Sequence, residues 1–269
     1  MKLPVGLQVY TVRDHAERDF AGTMKKVAKI GYKYVELAGL YGLEPAAVKS
    51  ALDEAGLVAI SAHIPFDELI GDTDKVLDTY KSLGCEYIAV PYLADEYRPG
   101  AEKFEFALSE MARIGKACAD RGMQLLYHNH DFEFVTMPDG SFGLDYIYAQ
   151  IPPEYLATEL DTCWVRVAGQ DPAAYVRKYT GRAPIVHLKD YVGEKTEGMY
   201  DLIGQEKTAK QTNKFMFKPL GMGVQDIPSI LAASVDAGAK FVVVEQDQSY
   251  DMDSLETAKR SFDYLASLE

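Results

Sequence analysis

The octapeptide Tyr127-His-Asn-His-Asp-Phe-Glu-Phe134 holds two of the chain's five histidines, two residues apart, with a glutamate close behind. Imidazole titrates near neutral pH and so suits proton transfer. Neutral imidazole and carboxylate are also both ligands for divalent ions. The same residue types recur downstream, each time closing an apolar run: Glu159 and Asp161, then His187, Lys189 and Asp190, then Glu245 and Asp247. Upstream, Gln8 and Tyr10 close the first run and His63 the third. One histidine on a strand is more often a satisfied core group than a ligand, and one acid at a strand end often caps the next helix. Four consecutive runs ending in His, Asp or Glu argue for a shared site. Carboxylates converging in a buried place repel one another and are costly to desolvate. One divalent ion, Mn²⁺, Mg²⁺ or Zn²⁺, relieves both problems.

An alternation of strands and helices must position these groups. Strands are expected at 5–10, 34–40, 58–64, 87–93, 123–130, 156–161, 184–190 and 241–247. Between them, apolar residues recur at helical spacing, as at Phe20, Met24, Val27 and Ile30 before Gly31, and at Phe104, Leu108, Met111, Ile114 and Cys118. Pro45 and Pro172 suit first turns, Asp171 suits a cap, and Gly56 suits an end. The strands read as apolar runs, as parallel strands covered on both faces do. Eight βα units in one chain predict an α/β fold: a single (β/α)₈ TIM barrel over residues 1–269. In such a barrel the polar strand ends converge at one mouth. A doubly wound sheet would show a Gly-rich phosphate turn after an early strand, and none is present. Residues 191–223 break the rhythm. They are polar, Lys-rich and punctuated by glycine, which predicts a lid, binding loop or oligomer contact beside that mouth.

Composition narrows the function classes. A net charge of −13 disfavours nucleic-acid partners. Cys85, Cys118 and Cys163 are odd in number and lie in apolar runs, as buried thiols of a reducing compartment do. No run approaches a membrane span, and residues 1–10 read as the approach to a strand rather than a leader. A cytoplasmic protein is expected, with a homo-oligomer left open.

The motifs "GLQVYTVRD" (6–14), "SAHIP" (61–65), "YHNHDFEF" (127–134), "LDTCWV" (160–165), "HLKD" (187–190), "GMGVQDI" (221–227) and "VVEQD" (243–247) resemble, in order and over nearly the whole chain, the sugar phosphate isomerase/epimerase family of xylose isomerase-like barrels. The resemblance implies one divalent metal ion held by Glu133, Asp161, His187 and Glu245. Strict alternation sets Glu133 on the face opposite His128 and His130, so it reaches the ion only if the strand ends or bulges near Asp131. Otherwise His128 or His130 takes its place. The chain departs from the two-glutamate epimerases: Trp164 stands where they carry a histidine, and His128 and His130 crowd the first glutamate's position.

The implied chemistry is proton abstraction next to a carbonyl through a metal-stabilised enediolate, giving isomerisation or epimerisation. His130 or His128 is the expected base, with Glu245 as a second acid/base. Gln8, His63, Lys189 and Trp164 are the expected substrate contacts. Expulsion of a β-oxygen from the same intermediate would make the protein a lyase or dehydratase acting on inosose or 3-keto-sugar derivatives. A metal-dependent phosphodiesterase fits poorly with five histidines and the acidic charge. A catalytically silent sugar-binding protein is the remaining alternative.

Overall fold

The computed structural model describes residues 3–195, 215–250 and 252–268. Eight parallel strands close into a barrel: β1 (Val5–Gln8), β2 (Tyr34–Ala38), β3 (Val58–His63), β4 (Tyr87–Val90), β5 (Gln124–His128), β6 (Ala157–Asp161), β7 (Ile185–Leu188) and β10 (Phe241–Val244). They follow one another in chain order around the barrel, and β10 closes it between β7 and β1. Helices between the strands start and stop where the sequence signals them. Asp19, Asp72, Asp171 and Asp226 accept hydrogen bonds from the first turns they precede. Gly56, Gly84 and Gly238 end helices in left-handed conformations. Two short helices, Phe66–Gly71 and Thr162–Val167, had no periodic signal to announce them. Among the described residues, no helix is long and apolar enough to cross a membrane. The three cysteines are free and buried, as expected.

The barrel strands alternate between two environments. Outward residues join the large core beneath the helices. Inward residues Ile60, Ala89, Leu126, Ala157, Ile185 and Val243 form a small apolar plug. Two residues further along their strands, the inward positions turn polar: His128 after Leu126, Glu159 after Ala157, His187 after Ile185, Glu245 after Val243. The barrel is thus apolar below and ionisable above.

One irregularity serves this layer. β2 and β3 slip register so that Val35 faces Ala59 while Glu36 faces Ser61, leaving Ile60 as the extra residue of a β-bulge. Regular alternation from Ile60 would aim Ala62 inward. After the bulge, Ala62 instead packs in the outer core, and His63 lies against His128 and His187.

The segment expected as a loop at 191–223 begins and ends as an antiparallel hairpin, β8 (Asp190–Gly193) paired with β9 (Phe215–Lys218). Its remainder, 196–214, lies outside the described residues. Phe215, Phe217 and Tyr191 pack with Trp164 and Cys163 into a separate apolar cluster. Asp190 is buried and gathers the hairpin's base. Its Oδ1 accepts from the Tyr191 and Gln225 amides at 2.9 and 3.0 Å, and its Oδ2 from the Gly221 and Gly223 amides at 3.0 and 2.9 Å. The two glycines of "GMG" permit this. A Cβ on Gly223 would stand 2.1 Å from Asp190 Oδ1, and Gly221 has a positive φ of 80°.

Candidate active site

The polar layer has two tiers. In the deeper one, Glu36 Oε1 accepts from Gln8 Nε2 at 2.8 Å and lies 2.7 Å from His187 Nε2 and 3.1 Å from His63 Nε2. His63 Nε2 is also 2.5 Å from Glu159 Oε2, which lies 3.2 Å from His128 Nδ1. Burial opposes charge on both His63 and Glu36, but their mutual attraction wins. Glu36 and Glu159 lift the His63 imidazole to about 10, and His63 and His187 hold the Glu36 carboxyl well below its usual range. Burial next to Glu36 pushes the Glu159 carboxyl up to about 7.

In the outer tier, His187 Nδ1 lies 3.0 Å from Glu245 Oε2, and His128 Nε2 lies 3.5 Å from Asp161 Oδ2. Lys189 inserts its ammonium among Asp161, Glu245 and Asp247 at 3.0, 2.9 and 3.1 Å. Burial disfavours that charge, yet the three carboxylates raise the ammonium's pKa well above the ordinary lysine value. The histidine of this tier that faces fewer anions behaves oppositely. Burial, then the charges of His187, His63 and Lys189, drive the His128 pKa well down, so its ring is neutral and has a lone pair to give.

Local structure aims these side chains. Asp161 ends β6 and caps Thr162–Val167, its Oδ1 accepting from the Cys163 and Trp164 amides at 2.8 and 3.2 Å. That fixes the carboxylate and leaves buried Oδ2 facing His128 and paired with the Lys189 ammonium. Asn129 clamps the neighbouring strand end. Its Oδ1 accepts the Asp161 amide at 3.0 Å and its Nδ2 donates to the Asp161 carbonyl at 3.3 Å. Thr162 Oγ1 in turn donates to the His187 carbonyl at 2.8 Å.

Among the described residues, two sets of four ligand atoms lie close enough to share an ion, each within 4.8 Å: His128, Asp161, His187 and Glu245, and beneath them His63, His128, Glu159 and His187. The outer set fits a divalent ion by its chemistry. It offers two carboxylates and a neutral imidazole, and buried Asp161 Oδ2 already has one cation, the Lys189 ammonium, beside it. Charge points the same way. Five buried carboxylates, Glu36, Glu159, Asp161, Glu245 and Asp247, meet around the cations Lys189, His63 and His187. Despite burial, Glu159, Glu36 and Glu245 raise the His187 pKa well above the usual histidine range. The carboxylates still outnumber the cations, and a divalent ion can take the place of the His187 proton.

Residues 24–268 match the family described as the xylose isomerase-like TIM barrel. The chain belongs to this family. It is 24% identical over 262 residues to the inosose dehydratase of Geobacillus kaustophilus, covering 87% of this chain and 82% of that one. In fold it is similar to a sugar phosphate isomerase/epimerase from Parabacteroides distasonis (TM-score 0.77, 21% identity, 98% of this chain and 94% of that one). It is also similar to a D-allulose 3-epimerase from Methylomonas sp. solved with D-allulose (TM-score 0.69, 16% identity, 98% and 96%).

Within this family frame, the structure gathers Asp161, His187, Glu245, Lys189, His63 and His128 from the residues singled out in the sequence. It does not bring Glu133 into either set. β5 ends at His128, and a 3₁₀ turn, Phe132–Phe134, curls Glu133 back under the strand end. Both its oxygens are engaged there, Oε1 by the Tyr127 hydroxyl at 2.6 Å and Oε2 by the His130 amide at 2.8 Å. Burial pushes its carboxyl up to about 8. In the outer set His128, one of the two alternatives to Glu133, stands where that glutamate was expected.

Gln8, expected at the substrate, is wholly buried and has both amide ends engaged. Its Nε2 donates to Glu36 and its Oε1 accepts from the Tyr10 amide at 2.9 Å. His63 is likewise held by the two deep carboxylates. Trp164 stacks on Phe215 and lies 5.1 Å from the His130 ring, which stacks on Phe132. Burial, reinforced by the Lys189 charge, drives the His130 pKa well down. His15, the histidine outside the strand-end pattern, pairs with Asp253 at 2.7 Å.

Glu159 was recognisable in the sequence as a strand-end acid without a specific role, whereas Glu36 was not singled out. The signal for Glu36 was present: a single acid in the apolar run "YVELAGL", two residues after inward Tyr34.

Proposed function

We propose that the protein deprotonates a carbon next to the carbonyl of a small polyhydroxylated ketone, a keto sugar or cyclic keto-polyol, as a divalent-metal-dependent enzyme. The observation that carries this reading is the convergence of His128, Asp161, His187 and Glu245 at four successive strand ends, with Lys189 and neutral His130 beside them. A divalent ion in that quartet would supply Lewis acidity to a carbonyl and its neighbouring hydroxyl. His130 acts as the base. Its neutral ring accepts the C–H proton, and the electron pair left behind forms the enediolate. Lys189, kept cationic by three carboxylates, stabilises the negative charge that develops on oxygen. Trp164 and Phe132, packed on His130, fix the ring's plane and exclude water from it.

Return of the proton to the adjacent carbon, or to the other face of the same one, gives an isomerase or epimerase. The second reading, supported by the inosose dehydratase relatives, is a dehydratase. There the enediolate expels a β-hydroxyl, which takes up a proton and leaves as water. Both begin with the same step. The test is NMR in D₂O with Mn²⁺-loaded protein and a panel of ketoses, inosose and 3-keto-glucosides, the Mn²⁺ being removed before spectra are recorded. Metal-dependent loss of one C–H signal establishes the step, and an epimeric or an unsaturated product separates the two outcomes. Ion binding without exchange on any compound supports the silent sugar-binding alternative.

A further inference from the structure

The two ligand sets share His128 and His187, and a neutral imidazole has one lone pair to give. Each shared ring faces the outer set with one nitrogen and the inner set with the other. His187 turns Nδ1 to Glu245 and Nε2 to Glu36, and His128 turns Nε2 to Asp161 and Nδ1 to Glu159. Filling both sets would require both rings to lose their second proton. The location of those protons therefore decides which set can hold an ion.

The deep carboxylates decide it. Gln8 Oε1 is committed to the Tyr10 amide, so its Nε2 must be the atom that donates to Glu36 Oε1. Glu36 Oε1 is thereby an acceptor, and the His187 nitrogen 2.7 Å away must carry a proton. Of the two carboxylates beside His128, Glu159 Oε2 is the nearer, 3.2 Å from Nδ1 against 3.5 Å between Nε2 and Asp161 Oδ2, so the single proton of the neutral ring belongs on Nδ1. His63 Nε2 lies between these two carboxylate oxygens, at 2.5 Å from Glu159 and 3.1 Å from Glu36. A proton on that nitrogen, lying between the two carboxylates, occupies the space that an ion in the inner set would need.

Resting on the metal-dependent reading above, we propose that Glu36 and Glu159 are positioning residues that hold the inner nitrogens of His187 and His128 protonated, so that the outer nitrogens face Asp161 and Glu245 and the barrel takes one divalent ion, in the outer set. Gln8 fixes the orientation of Glu36. Carboxylates that accept from the second nitrogen of a metal-bound histidine orient the ring and raise its basicity, and losing one typically weakens binding by about 10–100-fold.

Two measurements test this without turnover. Long-range ¹H–¹⁵N spectra of the histidine rings in wild-type protein loaded with Zn²⁺ are expected to show a proton on Nε2 of His187 and on Nδ1 of His128. The opposite tautomer on either ring, or two ions per chain by equilibrium dialysis, overturns the proposal. In Mn²⁺ titrations, Glu36→Gln and Glu159→Gln are expected to bind one ion about 10–100-fold more weakly than wild type, with melting temperatures in EDTA showing that each remains folded. Wild-type affinity in both variants overturns the positioning role while leaving the metal reading intact. Failure of the wild type to bind any divalent ion removes both.

Discussion

His128 and His130 are two residues apart yet have different neighbours, and those neighbours separate their roles. His128 meets Asp161 and Glu159, whereas His130 meets aromatic rings. Asp161→Asn is therefore expected to lose divalent-ion binding and activity together. His130→Ala should keep the ion while its kcat falls by about 10²–10⁴-fold; calorimetric ion titration and exchange in D₂O separate the two cases. Glu133 makes a different prediction. Its carboxyl sits at about 8 in the fold against the usual 4.5, so the folded state holds the extra proton between those values. Its contribution is complete below about pH 4.5 and is lost as pH rises through about 8, at about 1.4 kcal/mol per pH unit within the window. Glu133→Gln, which can still accept from the His130 amide, should gain stability relative to wild type as pH is raised from 5 to 8, read from urea midpoints. A constant difference would place the titration elsewhere. Asp161, His187 and Glu245 were legible because period-two alternation in parallel strands fixes which side chains enter the barrel. The fate of Glu133 was not, because it depends on a 3₁₀ turn that starts after the strand's periodicity has stopped.

The eight strands were legible as apolar runs and the helices as stripes bounded by Asp and Gly. Their irregularities were not. The β3 bulge adds a single residue, which no hydrophobic pattern marks, yet it turns His63 into the barrel. Deleting Ile60 should restore regular pairing while Ser61 stays opposite Glu36 and His63 stays in the barrel. The variant is expected to lose the apolar side chain that Ile60 adds to the plug and to be less stable in urea unfolding, with its deep tier intact. The hairpin formed by β8 and β9 was read as loop because its strands are short, and what secures its base is a carboxylate rather than an apolar face. Asp190→Asn replaces one of the acceptor oxygens shared by four amides with a donor. It is expected to cost about 3 kcal/mol in urea unfolding, and Gly223→Ala should be damaging for the same reason.

At the scale of the molecule, net charge and site charge have the same sign. The chain carries −13, and five of its carboxylates are buried around three cations, Lys189, His63 and His187. A divalent ion binding only the folded state should raise stability by about 2.7 kcal/mol at one hundred times its Kd. EDTA-treated protein is accordingly expected to melt lower than Mn²⁺-loaded protein, and Asp161→Asn should abolish the difference. The barrel itself was predictable from eight βα units, while the long excursion after β7 was visible only as a break in their rhythm. Because Asp190 ties the start of that excursion to residues 221–225, the two ends are joined independently of the chain between them. Lengthening such a segment adds only a slowly growing entropic cost once its ends are held. The excursion is thus an exchangeable part: segments of other length and sequence could be set on the same base while the polar layer of the barrel stays in place.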